Sequence, residues 1–198
     1  MIRSIIKFVL TITTLLLYRV KVVGQENIEK DKPYILCPNH ISNWDPPTII
    51  AALKRNDIYV LAKEEMFING FIKWLAVKVH ALPVRRGKQD LKLLKDSVKV
   101  LKDNHIILIF AEGTRNGIKK NGKLQNGAVL MSLMSGTPII PIGIQSKTKY
   151  RPFTKVKINI GKPMDFSEYK DKKSDKETLD SLSKQVMDEM IRLTNEEI

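Results

Sequence analysis

The sequence predicts an α/β domain: a single domain with a largely parallel central sheet flanked by helices, plus an N-terminal membrane-interface helix. Two observations carry this. Short apolar runs recur along the chain, several of them continuous, as expected for strands buried on both faces. Between them lie stretches whose apolar residues recur every three or four positions, so strands and helices alternate. A length of 198 residues suits one domain with a real core. The expected bounds are 1–19 for the leading helix and 20–198 for the domain.

The leading helix rests on an uncharged stretch, Phe8 to Tyr18, set between Lys7 and Arg19. As a helix it would span only ~16 Å, against roughly 30 Å of bilayer hydrocarbon. Arg19 and Lys21 follow it where a signal peptide would place small residues. Basic residues on both sides suit a helix lying in a membrane interface. The competing reading is a core helix.

The strands expected next are Val20–Val23, Tyr34–Cys37, Ile58–Ala62, Val79–Val84, Ile106–Ala111, Pro138–Ile144 and Val156–Ile160. Pro138 and Pro141 suit an edge strand or a bent strand entrance. Leu91, Leu94, Val98 and Leu101 form one helical stripe, with Asp90 as cap and Asn104 at the end. Ala128, Met131 and Met134 form another, stopped by Gly136. Ser174 and Glu177 have capping-box spacing ahead of Leu179, Leu182, Val186, Met190 and Leu193.

Composition excludes little on its own. The chain is 43% hydrophobic and 28% charged, which argues against disorder. Its net charge of +13 suits nucleic acid, an anionic membrane or an acidic partner. No nucleic-acid motif is recognisable, and aromatic residues at 7% leave few stacking platforms. Cys37 is the single cysteine, so no internal disulfide forms. It is read as a buried small side chain, or as a thiol beside His40 if its pKa were lowered. The Cys and His content offers no metal site.

Chemistry concentrates at strand ends. His40 follows the strand Tyr34–Cys37, and Asp45 lies five residues on. An imidazole is the natural base for a hydroxyl near neutral pH, and a carboxylate on its other nitrogen steadies it. On a regular helix the two would stand ~140° apart, so contact requires a turn between them. Pro46 and Pro47 favour a helix that begins after such a turn. The other reading makes Asp45 only a helix cap. Glu112, Gly113, Thr114 and Arg115 end the strand from Ile106, where α/β proteins bind ligands. Gly113 permits close backbone approach, and Arg115 can hold a phosphate with two parallel hydrogen bonds. Arg85, Arg86 and Gly87 close another strand, and Lys63 a third. Three basic groups at successive strand ends either converge on one anionic ligand or stand solvated. His80 and His105 border apolar strands and are read as structural.

In this order the segments resemble the lysophosphatidic acid acyltransferases of the glycerolipid acyltransferase family, over roughly Tyr34 to Ile144. The family's Asn-His-x-Ser-x-x-Asp block is met by Asn39, His40, Ser42 and Asp45. Its Arg-Gly block is met by Arg86 and Gly87. Its Phe-Pro-Glu-Gly-Thr-Arg block is met by Phe110, Glu112, Gly113, Thr114 and Arg115, with Ala111 in place of Pro. Pro141 matches the fourth block, and Lys63 resembles a family lysine assigned to phosphate binding.

The resemblance implies transfer of a fatty acyl group from a thioester to the 2-hydroxyl of 1-acyl-glycerol-3-phosphate, yielding phosphatidic acid. His40 would be the base and Asp45 its orienter. Lys63, Arg86 and Arg115 would hold the phosphate, with Glu112 positioning the glycerol or a basic neighbour. It implies no metal or cofactor, only acyl-ACP or acyl-CoA as co-substrate. The expected partner is an anionic membrane surface and the expected place the cytoplasmic face of the cell membrane. Related alternatives are another lysophospholipid, an acylated amino-acid lipid or glycerol-3-phosphate as acceptor. An alternative of another class is an acyl-thioester hydrolase.

Overall fold

The computed structural model describes residues 2–53, 55–68, 70–78, 80–84, 90–110, 126–146, 150–172 and 175–195. Its strands are β1 (Arg19–Val23), β2 (Ile35–Pro38), β3 (Ile58–Lys63), β4 (Ala81–Val84), β5 (Ile106–Leu108), β6 (Ile139–Ser146) and β7 (Lys155–Ile160). They form one seven-stranded sheet in the order β1-β7-β6-β2-β5-β3-β4. Every pairing is parallel except β6 with β7. The α/β architecture expected from the alternating runs is therefore the one observed.

The helices are α1 (Ile2–Leu17), α2 (Asp45–Leu53), α3 (Gly70–Lys78), α4 (Leu91–Lys102), α5 (Gly127–Ser135) and α6 (Lys176–Asn195). Strand alternation divides the core between the two faces of the sheet. Leu36, Leu108, Val60, Ile140 and Ile142 pack with α2 and the end of α1 through Ile49, Leu53 and Tyr18. Ile35, Cys37, Ile107 and Ile139 pack on the other face with α4, α5 and α6 through Leu101, Val129 and Val186. Cys37 is thus buried on one face, while the β2 residues two and four before His40 face the other way. The structural reading of this cysteine holds.

Several local expectations need correction. The edge reading of Pro138–Ile142 fails, because β6 is central, with β2 on one side and β7 on the other, while Pro138 stands at the strand entrance, just before Ile139. Pro141 is tolerated where the β7 ladder ends at Ile142 and Ile160; beyond it, the Pro141 carbonyl accepts from the Gly161 amide at 2.9 Å. The strand before Val84 begins at Ala81, since His80 takes a left-handed conformation (φ 56°) that turns the chain. β5 ends at Leu108, although the Ile109 amide still reaches Leu36 O at 3.0 Å. Ser174 lies outside the described residues; the α6 N-terminus is capped by Asp175, whose carboxylate accepts from the amides of Glu177 and Thr178. Leu91 opens the α4 stripe but is exposed. Asp90 caps α4 as expected, accepting from the Leu93 amide at 3.0 Å, and Gly136 stops α5 with φ 73°.

The described side chains of α1 differ by face, and Tyr18 follows just past its end. Thr14 and Tyr18 are buried, whereas Phe8, Ile12 and Leu16, spaced by four, face outward with Val9. Among the described residues no helix is long and apolar enough to cross a membrane.

α6 is pinned where its last carbonyls would otherwise lie unpaired over the sheet. Asn159 donates to Leu193 O at 2.7 Å, and Gln145 donates to Thr194 O. This close approach needs Gly143, because a Cβ there would lie 2.4 Å from the Leu193 carbonyl carbon. Gly143→Ala should therefore displace α6 and lower stability by about 1–3 kcal/mol, the range for overpacking. Urea unfolding measures it; an unchanged midpoint would show that the contact yields freely.

Candidate active site

The catalytic candidates stand at one edge of the sheet. β2, β3, β4 and β5 run parallel, so their carboxyl ends open on the same side. His40 lies two residues past β2, and Lys63 is the last residue of β3. The strand order places β5 between them, so their strands lie two spacings apart, ~10 Å. Lys63 is solvent-exposed. Arg86 and Glu112, Gly113, Thr114 and Arg115 lie outside the described residues. The residues that lead into those two segments, Val84 and Phe110, end on this same edge.

Asn39 sets the start of the loop. Its backbone amide donates to Ile142 O, and its side chain takes over the pairing beyond the end of β2. Asn39 Nδ2 donates to Ile144 O at 3.0 Å, while the Ile144 amide donates to Asn39 Oδ1 at 2.6 Å. A primary amide offers a donor and an acceptor together, as this exchange requires. The chain then leaves the sheet with His40 fixed in direction.

The turn that His40 and Asp45 need is present. Ser42 to Asp45 form it, the Asp45 amide donating to Ser42 O at 3.1 Å, and α2 begins at Asp45. Pro46 and Pro47 occupy the first helical turn, where their missing N–H groups cost nothing. Asp45 does not serve as a forward cap. Its Oδ2 reaches back, accepting from His40 Nδ1 at 2.7 Å and from the amides of Ile41 at 2.7 Å and Ser42 at 2.8 Å. The Asp45 side chain is 0% exposed and that of His40 17%. A buried carboxylate with three donors on one oxygen is held in one orientation. With the proton on Nδ1, Nε2 carries the lone pair a base needs.

Two aromatic neighbours complete the surroundings. The Phe110 ring packs on His40 with centroids 4.2 Å apart and a 33° tilt. Tyr150, in a left-handed backbone conformation (φ 61°), buries its phenol beside Asp45 and Thr48. Its ring meets Tyr18 edge-on at 4.9 Å. Asp45 Oδ1 and the Tyr150 hydroxyl are both buried, and among the described residues neither completes a hydrogen bond. Burial raises the phenol's pKa above its ordinary 10.0, and the Asp45 charge raises it further. Sequence reasoning missed Tyr150, because nothing local ties it to the loop. His80 and His105 sit elsewhere, both stacked on Tyr59, and are structural as expected. Among the described residues no cluster of ligating side chains could hold a metal.

This arrangement can deprotonate a hydroxyl beside a basic strand end. A model of the Acyltransferase family matches residues 19–145, well over half of the chain and all of the loop just described. The chain belongs to this family. Among its relatives, the 1-acyl-sn-glycerol-3-phosphate acyltransferase of Bacillus subtilis is 32% identical over 149 residues, 73% of each chain. That of Streptococcus pneumoniae is 26% identical over 171 residues, 84% of this acyltransferase and 62% of the relative's length. The crystal structure of the 1-acyl-sn-glycerophosphate acyltransferase PlsC from Thermotoga maritima superposes with a TM-score of 0.66, covering 96% of this chain and 79% of that one. At 23% identity, that likeness is one of fold.

The Tyr150 environment has a pH consequence. The folded chain keeps this phenol neutral where the unfolded chain ionises it, so stability is full below pH 10 and falls as pH climbs above it. Wild type should lose stability relative to Tyr150→Phe by on the order of 1 kcal/mol per pH unit above that point. Denaturant titrations at about pH 9 and pH 11 measure the change. A difference that stays constant would place the phenol in solvent.

Proposed function

We propose that this acyltransferase moves a fatty acyl group from an acyl thioester to the sn-2 hydroxyl of 1-acyl-sn-glycerol-3-phosphate, producing phosphatidic acid for phospholipid synthesis. The observation that carries the reading is the 2.7 Å contact between His40 Nδ1 and the fully buried Asp45 carboxylate, at the strand edge that ends in Lys63. The kinship with acyltransferases named for that acceptor supports the substrate.

In this mechanism His40 Nε2 takes the proton of the sn-2 hydroxyl as its oxygen attacks the thioester carbon. Asp45 stabilises the imidazolium that forms. Backbone amides of the loops stabilise the oxyanion, which collapses to the ester and expels the thiolate, and the imidazolium gives its proton to that thiolate. Lys63, Arg86 and Arg115 hold the phosphate, and Glu112 positions the glycerol or a basic neighbour. Gly113 and Thr114 belong to the same substrate-binding set, Gly113 as the residue that permits close backbone approach. The step uses no metal and no cofactor. Its donor is acyl-ACP or acyl-CoA, both anionic carriers suited to a chain of net charge +13.

A lipid acceptor places the enzyme at a bilayer. The outward apolar face of α1, followed by Arg19 and Lys21, suits an interfacial anchor on the cytoplasmic face of the cell membrane, in contact with anionic lipid.

Purified His40→Ala and Asp45→Asn should keep their fold and lose roughly three to four orders of magnitude in kcat, the scale for removing a base or its orienter. Lys63→Ala and Arg115→Ala should chiefly raise KM for lysophosphatidate. The assay supplies lysophosphatidate with each thioester donor and identifies the product. Near-normal turnover by His40→Ala would remove the mechanism, and acceptor-independent release of free fatty acid would make the enzyme a thioester hydrolase.

A further inference from the structure

We propose that the 3-10 turn Glu64–Phe67 and helix α3 form a second foot on an anionic bilayer, so that the enzyme straddles its lipid acceptor with apolar surfaces on both sides of His40. The inference rests on the bilayer reading of α1 and adds a contact to it. Met66, Ile68, Trp74 and Val77 are all exposed, Ile68 by 75%. Trp74 and Val77, three apart on α3, share one face of the helix. Exposed Lys63 and Lys73 flank the patch, with Glu64 and Glu65 in the same turn.

The topology sets both feet on one face of the sheet. The β2-to-β3 and β3-to-β4 connections advance in the same direction across it. Right-handed crossovers then put α2 and α3 on the same face, and the returning β4-to-β5 connection puts α4 on the other. α2 and α4 do pack on opposite faces. α1 lies against α2 and so stands on that face of the sheet as well. The α1 surface continues past its end to Trp44, whose ring meets Tyr18 at 5.9 Å, and to exposed Phe153, whose amide donates to Leu17 O.

The tryptophans favour lipid over a protein partner. The chain has two, Trp44 and Trp74, which are 36% and 45% exposed. Trp44 sits in the His40–Asp45 loop, and Trp74 follows the β3 end that carries Lys63. Indole is the side chain that membrane interfaces select, with an apolar body and a polar N–H. A tryptophan on each side of the base would set its depth at the headgroup level, where a lysophospholipid presents its 2-hydroxyl.

Having two tryptophans makes the test direct. Trp74→Phe leaves Trp44 as the sole reporter, and Trp44→Phe leaves Trp74. Each variant is titrated with phosphatidylglycerol–phosphatidylcholine vesicles whose acyl chains carry bromine. The expected result is a blue shift and quenching of both reporters. Response of Trp44 without Trp74 overturns the second foot and leaves the α1 contact standing. Response of neither overturns the bilayer reading of α1 as well. In parallel, Ile68→Glu should weaken vesicle binding about tenfold, the worth of one buried aliphatic side chain. Its turnover of a short-chain, monomeric lysophosphatidate should stay at the wild-type level; equal loss on both substrates would assign Ile68 to the fold and overturn the proposal.

Discussion

Oxygen Oδ2 of Asp45 accepts three hydrogen bonds from the seven-residue stretch that ends in Asp45 itself, and this shared acceptor determines the geometry of the site. Two bonds, from the amides of Ile41 and Ser42, close the loop between β2 and α2. The third fixes the imidazole of His40. Folding the loop and orienting the base are thus one event. A carboxylate with no exposed surface is costly to bury, and the three bonds on Oδ2 offset that cost. The same burial strengthens its hold on the imidazolium formed during proton transfer.

The sheet supplies the platform. Asn39 copies a strand residue with its side chain, so β2 is pinned to β6 one position past its own end. From β5, Phe110 covers one face of the imidazole. From the segment beyond β6, Tyr150 closes the far side of Asp45 and meets Tyr18 at the end of α1. The surface helix and the base are therefore joined through a short run of rings, Trp44, Tyr18 and Tyr150. The C-terminal helix supports β6 from the opposite face, through Asn159, Gln145 and the bare backbone of Gly143.

Much of this was legible in the sequence wherever the signal was local. Continuous apolar runs marked the central strands, where a sheet covered on both faces leaves no reason for polar positions, while β1 and β7 carry alternating Lys and Asn residues. The spacing of His40 and Asp45 demanded a turn, and the turn is there. Pro141 misled, because proline is judged by the sheet edge, and its tolerance inside β6 depends on where a neighbouring ladder stops. Asp175 displaced Ser174 as the described cap of α6, a one-residue choice that capping-box spacing could not resolve. Asn39 was visible as a motif residue but its latch was not, because its partner Ile144 lies 105 positions away. Tyr150 left no local mark for the same reason.

The account stands on the claim that Asp45 holds His40 in the tautomer with its proton on Nδ1, leaving Nε2 as the base. Nitrogen-15 NMR of imidazole-labelled enzyme at neutral pH reads this directly, with His40→Ala used to assign the resonances. The account predicts a protonated, pyrrole-type Nδ1 and a pyridine-type Nε2 for His40, with the pattern lost in Asp45→Asn. A proton on Nε2 in the wild-type enzyme, or a tautomer unchanged by Asp45→Asn, would contradict it.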